Sequence, residues 1–320
     1  MSLAQAGTTV TMLAGGVGGA KLAEGFARIL PDPRLQVIVN TADDFRLYGL
    51  AISPDIDTVT YTLAGIANPA QGWGIAGDTR HTLDAIARLG GESWFLLGDQ
   101  DFGTHILRTQ RLGEGVPLST ITADFAHALG IGPRILPMTD HPVATLVDTP
   151  AGRLGFQDYF VARRQADDVV GVVFDGIEDA VPAPGVLDAI ADADVLVIAP
   201  SNPIVSVGPI LAVRGVRDVL ASTSAFRIAV SPIIGGKALK GPADKMLATL
   251  GHEVSSLGVA RIYAGLIDVL AIDTADADLA PAIEALGIHT VVTNTIMGGS
   301  DDRERLAAEL LRVVPDGVRP

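Results

Sequence analysis

The chain contains no cysteine. Disulfides, thiolate nucleophiles and zinc–thiolate sites are therefore excluded, while the redox state of the compartment is left unread. Aromatic residues are scarce, at 5% of 320 positions, so the 48% of hydrophobic residues must build a core mainly from Ala, Val, Leu and Ile. Cations are outnumbered: 23 Lys and Arg face 37 Asp and Glu, a formal net charge of −14. This argues against a general nucleic-acid binder, which needs clustered cations to neutralise phosphates, and against an anionic membrane surface. No uninterrupted apolar run reaches the roughly 18 residues of a spanning helix. Residues 1–7 show neither a basic region nor a long apolar run, so no signal peptide is expected and the cytoplasm is the default location. An acidic chain can still hold a polyphosphate if backbone amides, a few placed cations or a metal ion screen the charge.

What is present begins at once. An apolar strand over 8–13 runs into Gly15-Gly16-Val17-Gly18-Gly19-Ala20-Lys21. Glycines let the backbone turn sharply and bring bare N–H groups against a ligand. A helix is expected from near Ala20, with Leu22, Phe26 and Ile29 on one face. Strand, glycine turn and helix start together favour a phosphate or pyrophosphate; a tight turn without a ligand is the plain alternative. The third glycine of G-x-G-x-x-G is replaced by Lys21, and Ala20 and Leu22 break the Walker pattern, so neither motif is met. Lys21 is expected in the first helical turn, its cation aimed at a bound phosphate.

Further apolar runs at 35–39, 194–199, 227–230, 269–272 and 289–292 end in polar or glycine-rich loops. Continuous rather than alternating runs suit strands buried on both faces of a parallel sheet. Helical patterns over 20–30, 79–89, 118–129, 185–190, 242–250 and 301–313 separate many of them. The fold class is therefore α/β, a Rossmann-like, doubly wound, mainly parallel sheet. Alternation over 138–177 marks a smaller mixed subdomain inserted into a core of about 8–137 and 178–313, all within one domain spanning 1–320. Ligands of such sheets bind outside the carboxyl ends of the strands, where the loops form one constellation.

Asp43 and Asp44 follow the strand at 35–39, and Asp55 and Asp57 follow soon after, sharing a face if the chain there is extended. Carboxylates beside a phosphate favour a hard cation between them, as magnesium is held; Asp57 or Thr58 capping a helix over 59–63 is the structural alternative. Asp43 also resembles the ribose-binding acid of dinucleotide enzymes. Trp73, between glycines, offers a stacking face or a core plug. Asp78 offers a ligand contact or a helix cap, and His105, in a polar loop over 97–105, a base, a phosphate donor or a structural ring. Ser201 and Asn202 offer a hydroxyl and an amide, or an Asx turn. Lys237 and Lys240 lie in a glycine-rich loop and read as anion-binding in so acidic a chain.

In order, Gly-Gly-Val-Gly-Gly-Ala-Lys (15–21), Asn-Thr-Ala-Asp-Asp-Phe (40–45), Ile-Ser-Pro-Asp-Ile-Asp-Thr (52–58), Gly-Trp-Gly-Ile-Ala-Gly-Asp-Thr (72–79), Gly-Asp-Gln-Asp-Phe-Gly-Thr-His (98–105), Ala-Pro-Ser-Asn-Pro (199–203) and Ser-Pro-Ile-Ile-Gly-Gly-Lys (231–237) resemble the CofD/FbiA family, the 2-phospho-L-lactate (phosphoenolpyruvate) transferases of coenzyme F-420 biosynthesis. The resemblance spans nearly the whole chain. It implies transfer of a phospho-three-carbon-acid moiety (lactyl, enolpyruvyl or glyceryl) from its guanosine diphosphate ester to the ribityl hydroxyl of the deazaflavin Fo, releasing GMP, with Mg2+ required. It also implies a guanylyltransferase partner that makes the donor, and a homodimer. On this reading Gly15, Gly16, Gly18 and Gly19 hold the diphosphate. Asp43 and Asp57, with Asp44 or Asp55, hold magnesium, and one of them takes the hydroxyl proton. Asn202 faces the guanosine and Trp73 the deazaflavin. Asp43→Asn and Asp57→Asn are expected to fold normally and lose turnover. Arg80 and His81 stand where the family often has Trp-Asn, and Gln100, Phe102 and Gly103 where it has Arg, Leu and Ala, which puts acceptor contacts in question before reaction class. Two rivals remain: a regulatory nucleotide-sugar binder like the gluconeogenesis-factor group, and an NAD-dependent dehydrogenase, against which the missing third glycine speaks.

Overall fold

The computed structural model describes residues 7–315; residues 1–6 of the N-terminal segment read for a signal peptide lie outside the described residues. The strands are β1 (Val10–Ala14), β2 (Leu35–Val39), β3 (Phe45–Leu47), β4 (Leu50–Ile52), β5 (Arg134–Pro137), β6 (Ala144–Thr149), β7 (Gly152–Gly155), β8 (Gly171–Asp175), β9 (Val195–Ile198), β10 (Phe226–Val230), β11 (Ile233–Ile234), β12 (Lys237–Ala238), β13 (Val269–Asp273) and β14 (His289–Thr293). The α-helices are α1 (Gly16–Ile29), α2 (Pro54–Leu63), α3 (His81–Arg88), α4 (Asp99–Gly113), α5 (Leu118–Ala128), α6 (Val186–Ala191), α7 (Gly208–Ala212), α8 (Val216–Ser222), α9 (Ala243–Thr249), α10 (Ser256–Ile262), α11 (Ala280–Glu284) and α12 (Ser300–Arg312).

Seven strands form the central sheet in the order β14-β13-β10-β9-β1-β2-β5, and every pairing in it is parallel. The chain leaves β1 toward β2 and β5, then returns to β9 and builds outward the other way. This is the Rossmann order, and its switch point is the crevice between β1 and β9.

Alternate side chains of each strand bury into opposite layers. Leu13, Ile38, Leu196, Ile198, Leu270 and Ile272 pack with Val186 and Ile190 of α6, Leu220 of α8 and Val259 of α10. Met12, Ala14, Val37, Val197, Val230 and Ala271 pack with Leu22 and Phe26 of α1, Val59 of α2 and Leu306 and Leu310 of α12. Burial on both faces explains the continuous apolar runs. Phe26 and Leu22 are fully buried although the aromatic content is low.

Segment 138–177 carries an antiparallel sheet in the order β7-β6-β8, followed in β7–β8 by a π-helical turn, Asp158–Ala162. Its apolar face (Val147, Phe156, Tyr159, Val169) packs on Val205 and Met246 of the main body.

Three expectations on local structure need correction. Helix α1 begins at Gly16, not near Ala20, so Gly18, Gly19 and Lys21 lie inside it. Asp55 and Asp57 sit in the first turn of α2, which starts at Pro54 behind Ser53, not on an extended strand; proline pre-sets the backbone for a first helical position. The polar stretch 97–105 is mostly helix α4, whose Asp101 carboxylate accepts from the Gly98 N–H at 3.1 Å.

Candidate functional site

A cavity of about 780 Å³ opens at the carboxyl edge of the sheet, over the switch point. Its floor is Gly15, Gly16 and Gly18 after β1, Asp43 after β2, Asp55 and Asp57 of α2, and Pro200, Ser201 and Asn202 after β9. The two central loops are joined: the Ser201 hydroxyl accepts from the Gly15 N–H at 3.1 Å and donates to the Gly15 carbonyl at 2.7 Å.

The glycines divide the work. Gly16 has φ +64°, a left-handed conformation that side chains disfavour. Its N–H donates to Asp55 Oδ1 at 2.8 Å. Gly18 is a packing glycine: a Cβ there would lie 2.4 Å from the Pro200 carbonyl oxygen. Gly19 does likewise against Ala14, at 2.8 Å, and does not line the cavity. Because the atom met at Gly18 is backbone, Gly18→Ala is expected to destabilise the protein by about 1–3 kcal/mol, read as a lowered denaturant midpoint at unchanged slope.

The acidic residues separate into three environments. Asp43 and Asp55 line the cavity. Asp43 Oδ1 is buried without a hydrogen-bond partner, and its pKa lies well above the usual carboxylate range, first from burial and then from the Asp55 charge. Asp55 accepts from Asn40 Nδ2 at 3.0 Å besides Gly16, yet burial pushes it up to about 6. Asp44, expected as a possible ligand, does not line the cavity; its Oδ2 accepts from the Ser53 hydroxyl at 2.6 Å. Asp57, expected as a principal ligand, lines the cavity, but Arg108 donates to both of its oxygens. A carboxylate already neutralised by a buried guanidinium is a poor ligand for a second cation.

Among the described residues, no cluster of three or more Asp, Glu and His side chains forms a metal cage. Magnesium asks for less, since it takes one or two carboxylates together with phosphate oxygens and waters. Asp43 and Asp55 fit that need: two buried hard-oxygen donors, one with an unpartnered atom, each driven toward protonation for want of positive charge.

The remaining expected residues fall as follows. Trp73 lines the cavity and is 37% exposed. His105 lines it from α4 and is buried. The Asn202 carbonyl accepts from the Ile204 and Val205 N–H groups at 2.9 and 3.4 Å, capping a π-helical turn, Pro203–Val207, which leaves its amide for Met246 Sδ at 3.6 Å. The Asx-turn alternative describes it better than base reading. Asp78 lies outside the cavity and caps α4, accepting from Gln100 N at 3.0 Å. Asp99 in turn accepts from His81 N and Thr82 N at the start of α3. Lys21 donates to the Met297 carbonyl at 2.8 Å, away from the cavity. Lys237 is exposed in a hairpin, and it is Lys240 that reaches the rim, donating to Gln71 O at 2.9 Å.

Other lining residues escaped the sequence reading: Tyr61, Trp94, Phe95, Phe156, Phe160 and Arg164. Both tryptophans thus stand at one cavity. In a chain so poor in aromatics, that rarity was the available signal. Arg164 and the neighbouring Gln165 have positive φ, +51° and +58°, and the turn is held by Lys245, which donates to Gln165 O at 2.6 Å and Asp167 O at 2.7 Å.

Sheet order and cavity define the class: a Rossmann-like α/β protein with a carboxylate-floored, aromatic-walled cleft at its switch point. The chain belongs to the CofD family, whose model, described as 2-phospho-L-lactate transferase CofD, matches residues 10–309. It is 44% identical over 317 residues (97% of this chain, 99% of the relative) to the phosphoenolpyruvate transferase of Streptomyces avermitilis. It is 40% identical over 296 residues (92% and 97%) to the 2-phospho-L-lactate transferase of Methanosarcina mazei. A crystal structure of a UPF0052-family protein of Bacillus halodurans shares the fold, with TM-score 0.61 and 17% identity over 95% of this chain and 99% of that one. The protein is accordingly a transferase of the 2-phospho-L-lactate and phosphoenolpyruvate type, an activity of coenzyme F-420 biosynthesis. The regulatory reading is not favoured.

Proposed function

We propose that the chain moves a phospho-three-carbon-acid group from its guanosine diphosphate ester to the ribityl hydroxyl of the deazaflavin Fo. The hydroxyl oxygen bonds to the distal phosphorus, the bond from that phosphorus to the bridging oxygen breaks, GMP leaves, and the hydroxyl proton passes to solvent. The observation that carries this reading is the cleft itself, where backbone amides after β1, the Asp43–Asp55 pair and an aromatic wall meet over one switch point.

Phosphoryl-type transfer is largely positioning and charge neutralisation. The amides at the start of α1, beyond Gly16, would cradle the diphosphate, with Ser201 holding the turn in place. Asp43 and Asp55 would hold Mg2+, which when bound supplies positive charge against the phosphate oxygens. Lys240 and Arg164 line the same cleft and add cations at its rim. Trp73, Trp94 and Phe95 offer flat faces to the deazaflavin. A guanylyltransferase supplying the donor, a homodimer and a cytoplasmic location complete the reading. The relatives named phosphoenolpyruvate transferases make the enolpyruvyl ester the first donor to test.

The test is mass spectrometry of the product formed from Fo, GTP and each candidate phospho-acid with a partner guanylyltransferase. A mass equal to Fo plus the phospho-acid moiety supports the reading, and unaltered Fo with every acid refutes it. Chelation of divalent ions is expected to abolish product formation and added Mg2+ to restore it. Full activity in excess chelator would remove the metal from the scheme.

A further inference from the structure

His105 and Arg108 stand one turn apart on α4, against Asp57 of α2. Arg108 is 1% exposed. It donates to both Asp57 oxygens and, at 3.3 Å, to the Ala51 carbonyl. Nη1 has two hydrogens: one goes to Asp57 Oδ2, and the other is shared between the Ala51 carbonyl and His105 Nδ1, each 3.3 Å away. A guanidinium has donors and no acceptor, so Nδ1 in that contact is the acceptor and carries no proton. The competing partner, Asp57 Oδ2, is 3.6 Å from Nδ1, beyond hydrogen-bond range. The proton of the neutral ring therefore sits on Nε2. That atom is buried and has no partner among the described residues, on a residue that is 2% exposed and lines the cleft.

We propose that His105 is a neutral hydrogen-bond donor to a phosphoryl oxygen of the donor substrate through Nε2–H, and that Arg108 is a positioning residue that fixes this tautomer through Nδ1. The assignment rests on the transferase reading for the identity of the oxygen, but not for the tautomer. It decides between the base and donor roles left open by the sequence. A base would need a free basic nitrogen, and Nδ1 is spent on Arg108. Burial, with the adjacent guanidinium, also pushes the ring down to about 4, so it stays uncharged at neutral pH. A neutral donor strengthens its bond as charge gathers on the phosphoryl oxygen and needs no proton transfer.

Two measurements test it. Glutamine places an amide N–H where Nε2–H stood, and asparagine places one near Nδ1. His105→Gln is expected to keep kcat within about tenfold of the parent, whereas His105→Asn and His105→Ala lose roughly 100-fold or more, the usual cost of one oxyanion donor. Equal loss in all three, or no loss in His105→Ala, overturns the donor role. Separately, 15N NMR of the substrate-free protein, with the resonance assigned by its absence in His105→Gln, is expected to show Nδ1 unprotonated and Nε2 protonated. A ring protonated on Nδ1 overturns the tautomer. Should the transferase reading fail, the parent protein forms no product with any donor, while the NMR result stands unaltered.

Discussion

Asp43→Asn is expected to lower turnover by about a thousandfold, some 4 kcal/mol of barrier, while thermal unfolding stays at or above that of the parent. The two halves of this expectation have one cause. The Asp43 carboxyl is buried, has an oxygen with no partner, and is loaded by the Asp55 charge. In the free protein an amide of the same shape relieves a desolvation cost, so the fold loses nothing. In the working enzyme the same change removes negative charge from the residue pair proposed to hold magnesium. Steady-state turnover at saturating Mg2+, alongside a melting curve, checks both halves. Parental turnover in the variant would eliminate Asp43 from the metal site.

Arg108→Met gives the opposite pattern, a loss of about 3–5 kcal/mol of stability. Removing the guanidinium leaves the Asp57 carboxyl buried without its two donors, and leaves the Ala51 carbonyl without that donor. The same reasoning overturns the expectation that Asp57→Asn folds normally, since Arg108 would then be the stranded charge. Combining Arg108→Met with Asp57→Leu should recover much of the loss, because a buried pair replaced by apolar groups of similar volume is often neutral. Denaturant unfolding of the two singles and the double variant measures this. A single variant as stable as the parent would show that the pair is not electrostatically important.

The parallel sheet was legible because burial on two faces leaves a continuous apolar run, and β2 was found at its true limits, Leu35–Val39. Strand β5, Arg134–Pro137, was missed because at the sheet edge it is short and ends in proline. The glycine turn was legible as a turn, but its helix start was placed too late. Glycine is a poor helix former, and Gly18 and Gly19 are tolerated in α1 because β1 and the β9 loop press against them. Helix α4 hid behind Gly-Asp-Gln-Asp because its start is stabilised by a residue about twenty positions earlier, Asp78, which no local window contains. The carboxylates were recognised as a group, but their division was not. Arg108 lies 51 positions from Asp57, and only the fold makes them neighbours. Lys237 and Lys240 share a loop and differ only in which way the hairpin turns.

The crossed caps at the start of α3 and α4 carry one more implication. Asp78 anchors the helix beyond the next, and Asp99 anchors the one before its own. Neither first turn can fray without loosening the other, so residues 78–101 are tied at both ends. Trp94 and Phe95, on the stretch between the two helices, pack against Phe45 of β3 and against each other. The aromatic side of the cleft is thereby held in place from two directions.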